Sequence, residues 1–474
     1  MAESSANLNE VNAAPNGGAL LSGNSTYWKF MGQCTECGHC REACQSLSCA
    51  GLNLGQIAKH LLAAQRAAQA ELGAAVAAAT AATSAATAAT STAATPAATA
   101  TTSAATAATP AADATASATS PSTPAREQIQ AALARALAND ANLTQAVRGC
   151  FFCTSCQQTC FAHNDVCELV YAARVDYQQA GLIPRAAWSS VLVDEEWHIF
   201  TAYRAIWGIG YPDLTRHIAS DYGPAQTDFD VAFFPGCSLT AYAPELTREV
   251  FATLEEVGGK TTMIDKCCGS SLKSAGFYDR AEALCALIAQ EIEATGARVV
   301  VCVCPGCKNA LIAATKAQGI NVQVTTVSEY LLAHNFKPKR DYGDHALCFS
   351  KSCQDRDGSC LRATRELLGA TEEDATVFHG CCGAGGAVSA YDQGRQAQQI
   401  DTKLSFAKDG ETVVTMCPTC TYTYAFHLMG APRPIENKHY LELLFENSFD
   451  WEKNFSQLNS MWTGPYGPWL ASVF

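Results

Sequence analysis

Cysteines recur in this chain as a fixed figure, and the figure occurs twice. Cys237, the adjacent pair Cys267–Cys268 and Cys304-Pro-Gly-Cys307 are followed by Cys348, the pair Cys381–Cys382 and Cys417-Pro-Thr-Cys420. Corresponding members lie 111, 114, 113 and 113 residues apart. Spacing held over such a distance marks a duplication, so whatever fold the first unit takes the second must take too. Packing does not require the adjacent thiols, because a buried cysteine acts as a small hydrophobe with no need of a neighbour. A relaxed disulfide within the pair is disfavoured as well, since it wants about 5–6 Å between Cα atoms.

The hydropathy pattern supplies the frame. Residues 228–236, 259–265 and 297–304 read as buried strands, with amphipathic helices at 243–257 and 279–295 between them. The order returns at 345–350, 375–380 and 411–417, with helices at 357–371 and 392–408. Strand alternating with helix predicts a mostly parallel sheet in each copy. Each cysteine group follows a strand, and the carboxyl ends of strands in an open α/β sheet form its ligand crevice. Five thiols of each copy are therefore expected at one place.

The first half carries a different cysteine pattern. "CTECGHCREAC" supplies Cys34, Cys37, Cys40 and Cys44, and "CFFCTSCQQTC" supplies Cys150, Cys153, Cys156 and Cys160. Both read C-x2-C-x2-C-x3-C, where three crowded thiolates suit three corners of a cubane and the fourth ligates the other cluster. Cys34, Cys37, Cys40 and Cys160 are thus assigned to one [4Fe–4S] cluster, and Cys150, Cys153, Cys156 and Cys44 to a second. Zinc sites use separated ligand pairs rather than this compact quartet.

Bulk properties narrow the class. The 474 residues include 24 cysteines and carry a net charge of −13, which argues against nucleic acid as partner. A secreted disulfide scaffold would be short and would follow a signal peptide. The N-terminus shows no basic and apolar leader, and no run of 18 apolar residues occurs, so a cytoplasmic chain with reduced thiols is expected. Residues 74–124 are almost all Ala, Thr, Ser and Pro, with Asp113 the only charge, and are expected to form a flexible insertion. Helical patterns at 51–72 and 124–147 flank it.

Two resemblances follow. The quartets resemble the two-cluster helical ferredoxin domains of membrane-linked respiratory enzymes, except that Gln45 and Phe161 stand where proline usually follows the fourth cysteine. The duplicated figure, with "FFPGC", "CCGAGG" and "CPTC", resembles the cysteine-rich CCG domain found in the B-type and D-type subunits of heterodisulfide reductase. The same domain occurs in iron–sulfur subunits of glycolate, lactate and glycerol-3-phosphate oxidation. The resemblance implies a noncubane [4Fe–4S] cluster held by five such cysteines, working on disulfides with electrons taken one at a time. Cys348, Cys381, Cys382, Cys417 and Cys420 are its expected disulfide site, because the glycines of "CCGAGG" permit close approach of a substrate. Cys237, Cys267, Cys268, Cys304 and Cys307 are expected to hold a second noncubane cluster or zinc. Cys302 and Cys353 stand near enough to be alternative ligands, Cys49, Cys167, Cys285 and Cys360 read as packed thiols, and His345 and His379 border the second site.

The expected architecture is α+β and multidomain. A flexible N-terminus (1–29) leads into a helical ferredoxin domain (30–185), interrupted by the linker 74–124. A connector (186–227), two CCG repeats (228–340 and 341–445) and an aromatic tail (446–474) follow, the tail expected to dock on a partner. The arrangement resembles the D-type subunit of heterodisulfide reductase and its relatives in sulfate-reducer transmembrane complexes. That implies an oxidoreductase subunit facing the cytoplasm and held peripherally at the membrane by integral quinone- or haem-binding subunits, with a small disulfide, thiol or protein as substrate. The other readings are an electron conduit for a flavin dehydrogenase of glycolate, lactate or glycerol 3-phosphate, and a scaffold with zinc-filled CCG sites.

Overall fold

The computed structural model describes residues 24–91, 123–183, 188–195, 197–208, 228–343, 345–370, 376–465 and 467–473. Its architecture is α+β: a helical unit followed by two four-stranded, all-parallel sheets.

The first sheet contains β1 (Val231–Phe234), β2 (Thr261–Met263), β3 (Val299–Cys302) and β4 (Gln323–Thr326), in the order β2-β1-β3-β4. The second contains β5 (Leu347–Ser350), β6 (Thr376–Phe378), β7 (Thr412–Thr415) and β8 (Glu436–His439), in the order β6-β5-β7-β8. The two topologies are the same, as the duplication requires. The fourth strands are additions to the sequence pattern, since "QVTT" and "ENKH" are short edge segments with little apolar content. Chain order reverses between β1 and β3, and again between β5 and β7. The crevice at each reversal is where an open parallel sheet presents its ligand site.

Alternation along the strands joins the copies. Val231, Phe233 and Val301 of the first sheet share one buried core with Leu347, Phe349 and Val414 of the second. The intervening residues Ala232, Phe234 and Val300 face a core private to the first copy, and Cys348 and Val413 face one private to the second. A period of two thus gives each sheet one face toward its twin and one toward its own helices.

The helical unit is built on Asn24–Gln33, Leu54–Ser91, Thr123–Ala138, Ala141–Arg148 and Val166–Gln179. A reciprocal cap starts the longest helix: the Asn53 N–H donates to Gln56 Oε1 at 2.8 Å and the Gln56 N–H to Asn53 Oδ1 at 2.9 Å. Leu54, Ile57, Ala58, Leu61 and Leu62 then form its buried stripe. Asp176 binds three of these helices together, accepting from Tyr27 Oη and Gln65 Nε2 at 2.8 Å each.

Three expectations change. The helix continues through residue 91, so 74–91 is not loop: alanine is the best helix former and the first proline of the stretch is Pro96. The rest of that stretch, 92–122, lies outside the described residues, as do 1–23 and 209–227. Residues 24–29 are helical, with Tyr27 fully buried. The tail packs back on its own chain through helices Trp451–Thr463 and Gly467–Val473, with Leu470 buried. Trp451 and Phe455 lie against Tyr422, and Asn454 Nδ2 donates to the Tyr242 carbonyl at 3.1 Å.

Candidate metal centres

The two quartet loops have one backbone. Glu36 and Phe152 take φ of 55° and 54°, and Gly38 and Thr154 take 88° and 63°. Non-glycine residues in this region cost about 1–2 kcal/mol each. The conformation aims the N–H of Glu36 at Cys34 Sγ and that of Phe152 at Cys150 Sγ, both at 3.4 Å. Hydrogen bonds of this kind favour a thiolate. Cys34, Cys37, Cys40 and Cys160 line one cleft, with Asn53 and Asn164 beside them. Cys44 leaves its own motif to face Cys150, Cys153 and Cys156. Burial, then the neighbouring Cys44, pushes the Cys150 thiol up to about 12.

In the first CCG repeat, Cys267 contacts both Cys237 and Cys268, Cys268 contacts Cys307, and Cys307 contacts Cys304. These five expected residues come together at the carboxyl ends of β1, β2 and β3. In the second repeat Cys381 contacts Cys382, Cys382 Sγ lies 3.0 Å from Cys420 Sγ, and Cys420 contacts Cys417. Bonds from the flanking thiols hold Cys268 and Cys382 well below the usual thiol range: Cys267 and Cys307 act on the first, Cys381 and Cys420 on the second. Cys304 and Cys417 each precede a proline that opens a 13-residue helix, a position whose free N–H groups favour thiolate.

Cys348 does not join this group. It is the second residue of β5, fully buried in the private core, and its thiol is pushed up to about 12 by burial and by Glu411 at the amino end of β7. Cys353 stands there instead, facing Cys382, Cys153 and Cys417. The strands explain the exchange. β5 follows β1 by 116 residues (347 − 231), and so does Cys353 follow Cys237 (353 − 237), each three residues past its strand. His345 likewise lies at the amino end of β5, where Arg340 donates to it.

The glycines of "CCGAGG" are not open to a substrate. A Cβ on Gly385 or Gly386 would stand 2.0 Å from the carbonyl oxygen of Phe151 or Cys150. What approaches them is the backbone of the second quartet loop, which brings Cys153 into contact with Cys381 and lowers the Cys153 thiol to about 6. Arg174 locks this junction. Fully buried, it donates to the carbonyls of Val147, Arg148 and Cys150, to Ser274 of the first repeat at 2.8 Å and to Gly386 of the second at 2.8 Å. Across the repeats, Cys304 Sγ lies 3.4 Å from Cys417 Sγ.

All four groups consist of thiols with N–H or thiol donors around them, a set suited to iron–sulfur clusters. No group of three or more His, Cys, Asp or Glu among the described residues is set to hold a single metal ion. No helix among them is long and apolar enough to cross a membrane.

Residues 231–312 and 345–424 each match the family described as a cysteine-rich domain, CCG. An uncharacterized iron–sulfur protein of Methanocaldococcus jannaschii is 26% identical over 219 residues, 44% of each chain. The B-type subunit of the fumarate reductase (CoM/CoB) of Methanothermobacter marburgensis is 25% identical over 203 residues, 40% of each chain. A further uncharacterized iron–sulfur protein, of Methanococcus maripaludis, is 25% identical over 219 residues, 44% of this chain and 43% of its own. The chain thus spans less than half the length of these curated relatives. No solved structure matches. Both repeats thus match the CCG cysteine-rich domain, and the chain is related to heterodisulfide-reductase-like iron–sulfur proteins.

Proposed function

We propose that this chain is an electron-transfer subunit that delivers single electrons to a disulfide at its first CCG site. Cys34, Cys37, Cys40 and Cys160 hold one cubane cluster, and Cys44, Cys150, Cys153 and Cys156 the next. Cys353, Cys381, Cys382, Cys417 and Cys420 hold a noncubane cluster, and Cys237, Cys267, Cys268, Cys304 and Cys307 another. When bound, such clusters supply one-electron carriers whose potentials depend on charge and hydrogen bonding around the sulfurs.

The observation that carries this reading is the order of contacts. Cys153 touches Cys381 and Cys304 touches Cys417, so the second CCG site lies between the ferredoxin-type loops and the first CCG site. Exposure leans the same way: Cys381, Cys382 and Cys420 of the second site are buried and Cys353 and Cys417 partly so, while at the first site only Cys307 is buried. On this reading the second site is a relay and the first, the less buried of the two, is where a disulfide taking up two electrons and two protons leaves as two thiols. The relative named as a subunit of a fumarate reductase (CoM/CoB) supports a place in a multi-subunit redox complex. The chain works in a redox complex, peripherally attached at the cytoplasmic face of a membrane through quinone- or haem-binding subunits.

The test is iron, zinc and sulfide content of anaerobically purified protein, with electron paramagnetic resonance before and after added thiol. About 16 iron per chain is expected, with a thiol-sensitive signal that C267A/C268A removes and C381A/C382A leaves. Half the iron together with bound zinc would refute the cluster assignment. A thiol-sensitive signal lost only in C381A/C382A would return the substrate to the second repeat.

A further inference from the structure

A buried charge stands beside the second CCG site. Lys403, on helix Gln393–Leu404, is 2% exposed, and its Nζ has no hydrogen-bond partner among the described residues. The ammonium lies 4.8 Å from the centroid of the Phe378 ring, and a Cβ on Gly380 would come within 3.2 Å of it. No carboxylate pairs with it among the described residues. The groups it faces are the thiols Cys381, Cys382, Cys420 and Cys353. His379 and Lys351 are the other ionisable groups nearby, and Glu411 lies beyond Cys348.

The first repeat shows what the fold alone asks of this position. A Cβ on Gly269 would meet the Ala281 carbonyl and Cys285, and one on Gly383 would meet the Gln396 carbonyl and Ile400. The helices therefore correspond at an offset of 115 (396 − 281 and 400 − 285), which sets Lys403 on Ile288. Ile288 is 1% exposed in the private core of its repeat. A branched apolar side chain thus satisfies the packing, and the lysine at its twin buries a charge, which is unfavourable by itself. An anionic neighbouring site offsets that cost.

We propose that Lys403 is the counter-charge of the second CCG site, placed to hold its cluster at a higher reduction potential than that of the first. This rests on the cluster assignment above. Reduction adds a negative charge, which a desolvated ammonium stabilises and an isoleucine does not. The second site then retains an electron while the first engages its disulfide, so that two electrons are at hand for a two-electron reduction.

The experiment is a redox titration, followed by paramagnetic resonance, of the anaerobically purified full chain. Second-site signals are those lost in C381A/C382A. Lys403→Met should weaken reduction of that site tenfold or more, a shift of about 59 mV or more to negative potential, and should leave the first site unmoved. Lys403→Arg should restore the wild-type midpoint. Full iron with an unchanged midpoint in Lys403→Met overturns the inference. Should Lys403→Met shed second-site iron, Lys403→Arg decides: retained iron and midpoint support a counter-charge, and loss there too makes the side chain structural and overturns it. Zinc in place of iron at the second site of the wild type would instead overturn the cluster assignment.

Discussion

Removing Arg174 should uncouple the three units while leaving each folded. The guanidinium lies between the rings of Phe152 and Trp188 and serves five carbonyls, three on its own helical unit and one on each repeat. A hydrogen bond from a charged donor contributes about 1.5–3 kcal/mol. The two that cross between units, to Ser274 and Gly386, therefore carry roughly 3–6 kcal/mol of docking. Arg174→Met keeps the apolar stem, so the loss falls on these bonds. At about 1.4 kcal/mol per factor of ten, the undocked population should rise by two to four orders of magnitude. Native-state hydrogen exchange reads this directly: amides at 270–276 and 383–391 should exchange at least a hundredfold faster, while those in β1, β3, β5 and β7 keep their protection. Lysine should not rescue, having three donors for five fixed acceptors. Protection within tenfold of wild type at both segments would refute the keystone role, as would loss of protection throughout the chain.

Two further outcomes are expected. Cys353→Ala should lose the second-site iron, about four atoms, while Cys348→Ala should keep it and cost only packing, about 1 kcal/mol; iron content and thermal unfolding separate the two. The second outcome is a pH dependence. Burial holds the Asp176 carboxyl up at about 7, against the bonds from Tyr27 and Gln65. The folded chain thus keeps a proton that the unfolded chain releases near pH 4. Stability should be highest below that value and fall by roughly 3–4 kcal/mol as pH rises to about 7. Glu442, raised to about 7 by burial, adds a slope of the same sign. Denaturant titrations between pH 5 and 8 should show the fall, and Asp176→Asn should flatten it in part; an unchanged slope would refute the assignment.

Much of the molecule is legible from spacing, and each failure has its own physical cause. Six strands, the quartet loops and the first five-thiol group follow from local pattern, because the residues that define them are close in sequence. Matching intervals between cysteines selects Cys348 over Cys353, since 111 sits beside 113 and 114. The second copy is shorter between its strands, however, the offset falling from 116 (347 − 231) to 113 (412 − 299), so intervals need not agree, and the distance from the end of the strand fixes which thiol reaches the crevice. That signal is present in the chain: three residues separate Phe234 from Cys237, and three separate Ser350 from Cys353. The glycines of "CCGAGG" mislead for the opposite reason. Their freedom does answer a demand for close approach, but sequence cannot say whose backbone approaches, and here it is that of Cys150 and Phe151, more than 230 residues earlier. Lys403 lies in plain view on an amphipathic helix, where a lysine reads as solvated surface. Its meaning comes only from superposing the repeats, because Ile288 shows that the position is interior and that the charge is an addition to the fold.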